Sequence, residues 1–304
     1  MTVSSLRFAE LEARLKKGLF LRFGPLVMAI QTTIPSVIEG IRLVYADYPL
    51  AQEEFADFHV TLNPPRNLRR WFRQQAIFEL DGVTPFKPLP YDQAFPMLEW
   101  GMNWCISNNM HSYLMIHAAV MERDGHAVIL PAPPGSGKST LCATLIHKGW
   151  RLLSDELTLI RLSDGQIIPL PRPVSLKNAS IDIVQHYIPS AVLSRRVDDT
   201  LKGTVALMKP PGDSLARVAE TVKPAWIVFP KYQAGAATQL EPISQSRAFM
   251  RVADNAFNYS LLGLRGFEAL AGVIDKSVAY DFTYSSLDEA IQTFAALPVP
   301  SSSP

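Results

Sequence analysis

Cysteine is nearly absent: the 304-residue chain has two, Cys105 and Cys142, with no Cys-x-x-Cys spacing. That excludes a disulfide framework and a structural zinc site, and fits a reducing compartment. Excess charge is absent too. A formal net charge of +1 gives no sign of a nucleic-acid scaffold or of an anionic membrane surface as partner. No run approaches the roughly 20 apolar residues of a membrane span. The first apolar stretch, Leu19 to Ile30, is broken by Arg22, Gly24 and Pro25 and preceded by Glu10 and Glu12, so a signal peptide is not expected there. The expected location is the cytoplasm. No internal repeat is visible. What is present is ordinary globular material, 48% hydrophobic and 19% charged, enough for one large domain or two modest ones.

In the first hundred residues, Leu19–Phe23 and Leu26–Ile30 read as strands around a turn at Gly24-Pro25. A short helix is expected near Val37–Tyr45, and a strand at Phe58–Leu62, stopped by Pro64-Pro65. Arg66, Arg69, Arg70 and Arg73 form a basic cluster that reads as a solvated helix face. From Tyr91 to Asn109 the period is helical, with Phe95, Leu98, Met102 and Cys105 or Ile106 on one side. Next comes a hairpin: Tyr113–Met121, the favoured turn Asp124-Gly125, and His126–Pro131. Thr140–Lys148 reads as a helix with Leu141, Leu145 and Ile146 inward, Cys142 packed as a small hydrophobe, and Gly149 at its end. A strand at Arg151–Ser154 and a second hairpin about Asp164-Gly165 follow, until Pro169, Pro171 and Pro173 stop regular structure. A strand at Trp226–Phe229 and helices near 246–262 and 286–296 complete the body, and the tail from Pro298 to Pro304 reads as disordered.

The first hairpin runs straight into Ala132-Pro133-Pro134-Gly135-Ser136-Gly137-Lys138-Ser139-Thr140. This is the P-loop signature Gly-x-x-x-x-Gly-Lys-Ser/Thr, with Ala132 in the first glycine position and an additional Gly135. The chemistry accounts for the residue types. Backbone N–H groups can wrap a β-phosphate only where side-chain bulk is absent and unusual φ/ψ is accessible. The following helix adds the positive end of its dipole. Lys138 would bridge the β- and γ-phosphates of ATP, and the Ser139 hydroxyl would ligate Mg²⁺. Pro133, Pro134, Gly135, Ser136, Gly137, Lys138, Ser139 and Thr140 are therefore the candidate nucleotide contacts.

Asp155 and Glu156 follow Lys138 by 17 and 18 residues, at the end of the next strand. In a parallel sheet such a strand end opens onto the same crevice as the loop. One carboxylate can hold the metal and the other accept a proton from an attacking hydroxyl. Leu162-Ser163-Asp164-Gly165-Gln166 looks like a transporter ATPase signature but stands at a hairpin tip, too close to the loop. No Asn-Lys-x-Asp guanine motif occurs.

Hairpin, loop and acid pair together resemble the HPr kinase/phosphorylase superfamily, specifically its HPr-kinase-related group. The likeness rests on His117-Ala118-Ala119, on Pro133, Gly135 and Gly137 to Thr140, and on Gly149 to Glu156. Pro171–Lys177 and Phe229-Pro230-Lys231-Tyr232 look like the subgroup called HPr-kinase-related kinase A. The resemblance implies ATP-dependent phosphorylation of a serine on a protein or peptide. In HPr kinases a histidine 21 residues before the loop lysine belongs to the active site, and His117 stands at that spacing. Their aspartate pair aligns with Asp155-Glu156, so Glu156 stands where an aspartate is expected, and which of the two is the base stays open. The glycine-rich element that gives those kinases a glutamate for the metal has no match. Pro171–Lys177 occupies its region and offers Arg172 and Lys177, cations suited to a γ-phosphate, with Lys202, Lys209 and Lys231 as weaker candidates. No element linked to phosphorolysis is found, and HPr itself is not the expected substrate. Related kinases act on ribosomal-peptide precursors, and the kinase A group resembles members of systems with a small PqqD-like peptide-binding partner.

The expected fold is thus α/β: a P-loop kinase core of the HPr kinase type at 110–240, an N-terminal mixed α+β domain at 1–109, and C-terminal helices at 241–297. Lys138 and the loop would hold ATP, and Ser139 and Asp155 would hold Mg²⁺. Asp155 or Glu156 would deprotonate the acceptor, and His117 and Arg172 would stabilise transferred charge. A peptide or small protein is the expected substrate, with a homo-oligomer compatible. A small-molecule kinase of the same superfamily and a non-catalytic nucleotide sensor remain as alternatives.

Overall fold

A computed structural model describes residues 1–52 and 55–298, with the Arg70 side chain outside the described part. The tail expected to be disordered lies outside it from residue 299 on. In chain order the elements begin with α1 (Phe8–Lys17), β1 (Leu19–Phe23), β2 (Leu26–Thr32), α2 (Pro35–Val44), β3 (Phe58–Asn63), β4 (Gln75–Leu80), β5 (Leu89–Pro90) and α3 (Ala94–Asn109). Next come β6 (Tyr113–Arg123), β7 (His126–Pro131), α4 (Lys138–Ile146), β8 (Arg151–Ser154), β9 (Leu157–Arg161), β10 (Ile167–Ile168) and β11 (Val174–Lys177). They continue with α5 (Ala179–Tyr187), β12 (Val197–Thr200), β13 (Gly203–Met208), α6 (Gly212–Ala216) and β14 (Lys223–Tyr232). The last are β15 (Gln239–Pro242), α7 (Gln245–Asp254), α8 (Tyr259–Leu262), α9 (Leu264–Asp275), β16 (Val278–Tyr284) and α10 (Leu287–Ala295). The protein is mixed α/β, and no described helix is long and apolar enough to cross a membrane.

The chain forms two compact units. One holds Met1–Asn109, Pro173–Asp182 and Ser190–Leu215, and the other holds Met110–Arg172, Ile183–Pro189 and the chain from Ala216 on. The sequence boundary at 109 coincides with a limit between units, but much of 173–215, assigned by sequence to the 110–240 segment, groups with the N-terminal unit.

In the first unit a five-stranded sheet has the order β1-β2-β3-β4-β5, with only β2 and β3 parallel. Alternation places Leu21, Phe23, Ile30, Val60, Leu62 and Phe78 in a core completed by Ile38 and Ile41 of α2 and Leu98 and Met102 of α3, all buried. The apolar face read from the sequence of α3 is the buried one. A second, three-stranded sheet, β11-β13-β12, was not legible. The three prolines that end regular structure lie before β11, where no ladder N–H is needed, and Val174–Lys177 then pairs antiparallel with β13. The basic cluster is no helix face. Its centre, Leu68–Arg70, is one 3-10 turn.

The second unit is built on an eight-stranded sheet of order β10-β9-β6-β7-β14-β16-β15, with β8 also paired to β6. The long β6 serves β9 along Tyr113–His117 and β8 along Val120–Glu122. Asp124 (φ 53°) and Gly125 (φ 78°) close the β6–β7 hairpin in the left-handed conformations that a primed turn needs. Strand β14 is parallel to β7 and β16, and β8 runs with them because both β7 and β8 oppose β6. The C-terminal ends of β7, β8, β14 and β16 therefore share one edge of the sheet. Leu114, Ile116, Ala118 and Val120 of β6, with Ile227 and Phe229 of β14, pack against Ala248 and Val252 of α7 and Leu270 and Val273 of α9. Trp150, Trp226, Phe282 and Phe294 form a linked aromatic cluster where α10 meets α4. A buried ion pair, Arg151 Nε to Glu122 Oε2 at 2.7 Å, ties β8 to β6. The same guanidinium donates to the carbonyls of Arg217 and Glu220, so its buried charge is hydrogen-bonded in full view of its partner.

A further sequence expectation needs correction. The 241–297 segment is not only helical: it also carries β15 and β16, and β16 lies inside the main sheet beside β14. Its run Val278-Ala279-Tyr280-Asp281-Phe282-Thr283-Tyr284 is β-branched and aromatic, the composition that a half-buried strand favours.

Candidate functional site

Strand β7 ends at Pro131, and the chain crosses Ala132–Gly137 before α4 begins at Lys138. Two glycines make that crossing feasible, Gly135 at φ 85° and Gly137 at φ 87°, a conformation that costs other residues strain. The loop is held from the neighbouring strand ends. Tyr232 N–H donates to Ser136 O at 2.9 Å, and Tyr284 Oη donates to Gly137 O at 3.1 Å. With those carbonyls engaged by β14 and β16, the first turn of α4 presents the N–H groups that an α-helix start leaves without intrahelical partners.

A methyl group at position 137 has no room: its Cβ would lie 2.3 Å from Tyr284 Oη and 3.0 Å from Tyr232 Cβ. Gly137→Ala is therefore expected to destabilise the unit by about 1–3 kcal/mol through backbone strain and clash, read as a fall in the thermal midpoint. The same substitution in a Tyr284→Phe background should cost less. Equal midpoints for Gly137→Ala and the unaltered protein would show that the loop is not packed this way.

Four sequence-selected residues come together here. Lys138 is buried, and its Nζ stands 3.3 Å from Nε2 of His117 on β6, within hydrogen-bond reach. Ser139 Oγ donates to Asp155 Oδ2 at 3.2 Å. Asp155, just past β8, is 1% exposed, and Glu156 beside it is half-buried. Cys142, one turn into α4, reports the same field: burial pushes its thiol well up, the Asp155 charge adds to this, and Lys138 opposes it. The Tyr284 phenol is likewise pushed up, by burial and then by Tyr232, and remains a protonated donor to Gly137.

The other candidates are cations. Arg172 is buried in this unit, whereas Lys177, Lys202 and Lys209 belong to the other. There Lys209 pairs with Asp47 at 2.7 Å and Lys202 lies 4.9 Å over the Trp100 ring, so both have structural partners. Lys231 is exposed, next in sequence to the loop-holding Tyr232. Sequence reasoning missed the role of Tyr284 altogether. It also missed Asn255, whose backbone carbonyl accepts the backbone N–H of His117 at 2.8 Å, and Phe257, whose ring centre is 5.7 Å from that of His117. Their contacts are long-range pairings, and only the strand-like composition of Val278–Tyr284 hinted at one of them.

Among the described residues, no group of three or more His, Cys, Asp or Glu side chains is placed to hold a metal ion. A family described as SynChlorMet cassette protein ScmC has a model that matches residues 97–176, about a quarter of the chain. The matched span includes the β6–β7 hairpin, the glycine loop, α4 and Asp155-Glu156. Among curated proteins, none matches the chain.

Proposed function

We propose that the chain is an ATP-dependent kinase with a P-loop core of the HPr kinase type, acting in the cytoplasm on a serine hydroxyl of a peptide or small protein. The observation that carries this is the pairing of Ser139 with the buried Asp155 beside a loop whose glycines are left-handed. A carboxylate and a hydroxyl form a hard-oxygen donor set. That suits Mg²⁺, which takes one or two carboxylates plus phosphate oxygens and needs no larger protein cluster. When bound by Ser139 and Asp155, Mg²⁺ would neutralise charge on the β- and γ-phosphates. The loop amides and the Lys138 ammonium would hold the same phosphates, and His117 would keep that ammonium in position. The acceptor oxygen attacks the γ-phosphorus, the bond to the bridging oxygen breaks, and ADP leaves. Glu156 or Asp155 takes the acceptor proton. Arg172 supplies a cation for the transferred charge.

The test is to incubate the protein with γ-labelled ATP, Mg²⁺ and the peptides encoded beside its gene, then locate the label by mass spectrometry. Label on a peptide serine is expected. Label on a metabolite alone would move the reading to a small-molecule kinase, and nucleotide binding without any transfer would leave a sensor.

A further inference from the structure

The turn between β3 and β4 gathers arginines and large apolar side chains. From Phe58 to Phe78 the sequence has no acidic residue, while Arg66, Arg69, Arg70 and Arg73 fall within eight positions. Asn67 Oδ1 accepts the Arg69 N–H at 2.9 Å, and the Trp71 and Phe72 N–H groups both donate to Leu68 O at 3.1 Å. These bonds fold the segment into one tight turn that leaves Leu68, Trp71 and Phe72 outside. Their exposures are 78%, 71% and 70%. Apolar surface left outside and rimmed by cations marks a binding surface. Arg73 is held at a left-handed φ of 48°, with its guanidinium 5.7 Å from the Phe72 ring centre.

A groove of about 430 Å³ adjoins the turn, lined by Arg69, Arg73, Gln74, Gln75, Tyr91 and Asp92. Two guanidiniums against one carboxylate leave it positive, and the glutamine amides can meet peptide groups. We propose that this turn and groove dock an acidic peptide segment carrying an aromatic or aliphatic anchor. Leu68, Trp71 and Phe72 receive the anchor, Arg69 and Arg73 the carboxylates, and Gln74 and Gln75 the backbone. An anionic bilayer would also attract the arginines and Trp71. It would not fill a concave, amide-lined groove, and that feature selects the peptide. The surface lies within one unit and does not depend on phosphoryl transfer, so its test uses no ATP.

The probe is a fluorescein-labelled random copolymer of glutamate and tyrosine, titrated with the full-length protein and followed by anisotropy, with polylysine as control. The copolymer should bind, more weakly as salt rises, and polylysine should not. Arg69→Glu with Arg73→Glu should weaken binding on the order of tenfold or more, and Trp71→Ala several-fold. Arg69→Gln with Arg73→Gln, which removes charge without reversing it, guards against a folding defect. Undiminished binding by both double variants overturns the proposal. So does absence of binding, or sedimentation with phosphatidylserine vesicles by a protein that ignores the copolymer.

Discussion

Asp155→Asn is expected to lower phosphoryl transfer by about 10²-fold or more, the usual scale for a lost general base or metal carboxylate. The side chain is almost fully buried and accepts from Ser139, so a neutral amide of the same shape fills the space while removing the charge. Glu156→Gln tests the neighbour, which is half-buried and one residue further on. Asp155→Asn should fall to that extent in either role, and a matching fall in Glu156→Gln would bring the neighbour into the mechanism beside it. Assays need a true acceptor and saturating Mg²⁺, with thermal unfolding as the control for folding. Near-normal rates in both variants would remove the carboxylates from the mechanism.

The parts of the site that lie close together in sequence were the legible ones. The β6–β7 hairpin, the loop, α4 and β8 are consecutive, and turn chemistry at Asp124-Gly125 and loop chemistry at Gly135 and Gly137 announce them. So Lys138, Ser139 and Asp155 could be selected before any contact was known, and His117 through the resemblance to HPr kinases. What secures the loop was hidden. Tyr232 and Tyr284 reach it only because β14 and β16 run parallel to β7, and such pairings leave no local signature beyond strand-like composition. Arg172 and Lys177 are five positions apart and were read as one cationic segment. The unit limit falls between them, and the strand Val174–Lys177, which the prolines hid, pairs with β13. The arginines at 66–73 looked like a solvated helix face because charge spacing alone does not distinguish a helix from a single turn. The backbone, helical only over Leu68–Arg70, is what separates the two.

On the proposed function, Lys138→Ala should abolish turnover and weaken ATP binding, because its buried ammonium would be the charge that meets the phosphates. A charge-assisted contact of this kind is worth about 1.5–3 kcal/mol, or roughly 10- to 100-fold in affinity. Calorimetric titration of ATP and AMP, each with Mg²⁺, into the unaltered protein and into Lys138→Ala tests the phosphate site most directly. The unaltered protein should bind ATP far more tightly than AMP, and most of that preference should vanish in the variant. Equal affinity for ATP and AMP, or a preference for ATP that survives the loss of Lys138, would contradict a phosphate site on this loop.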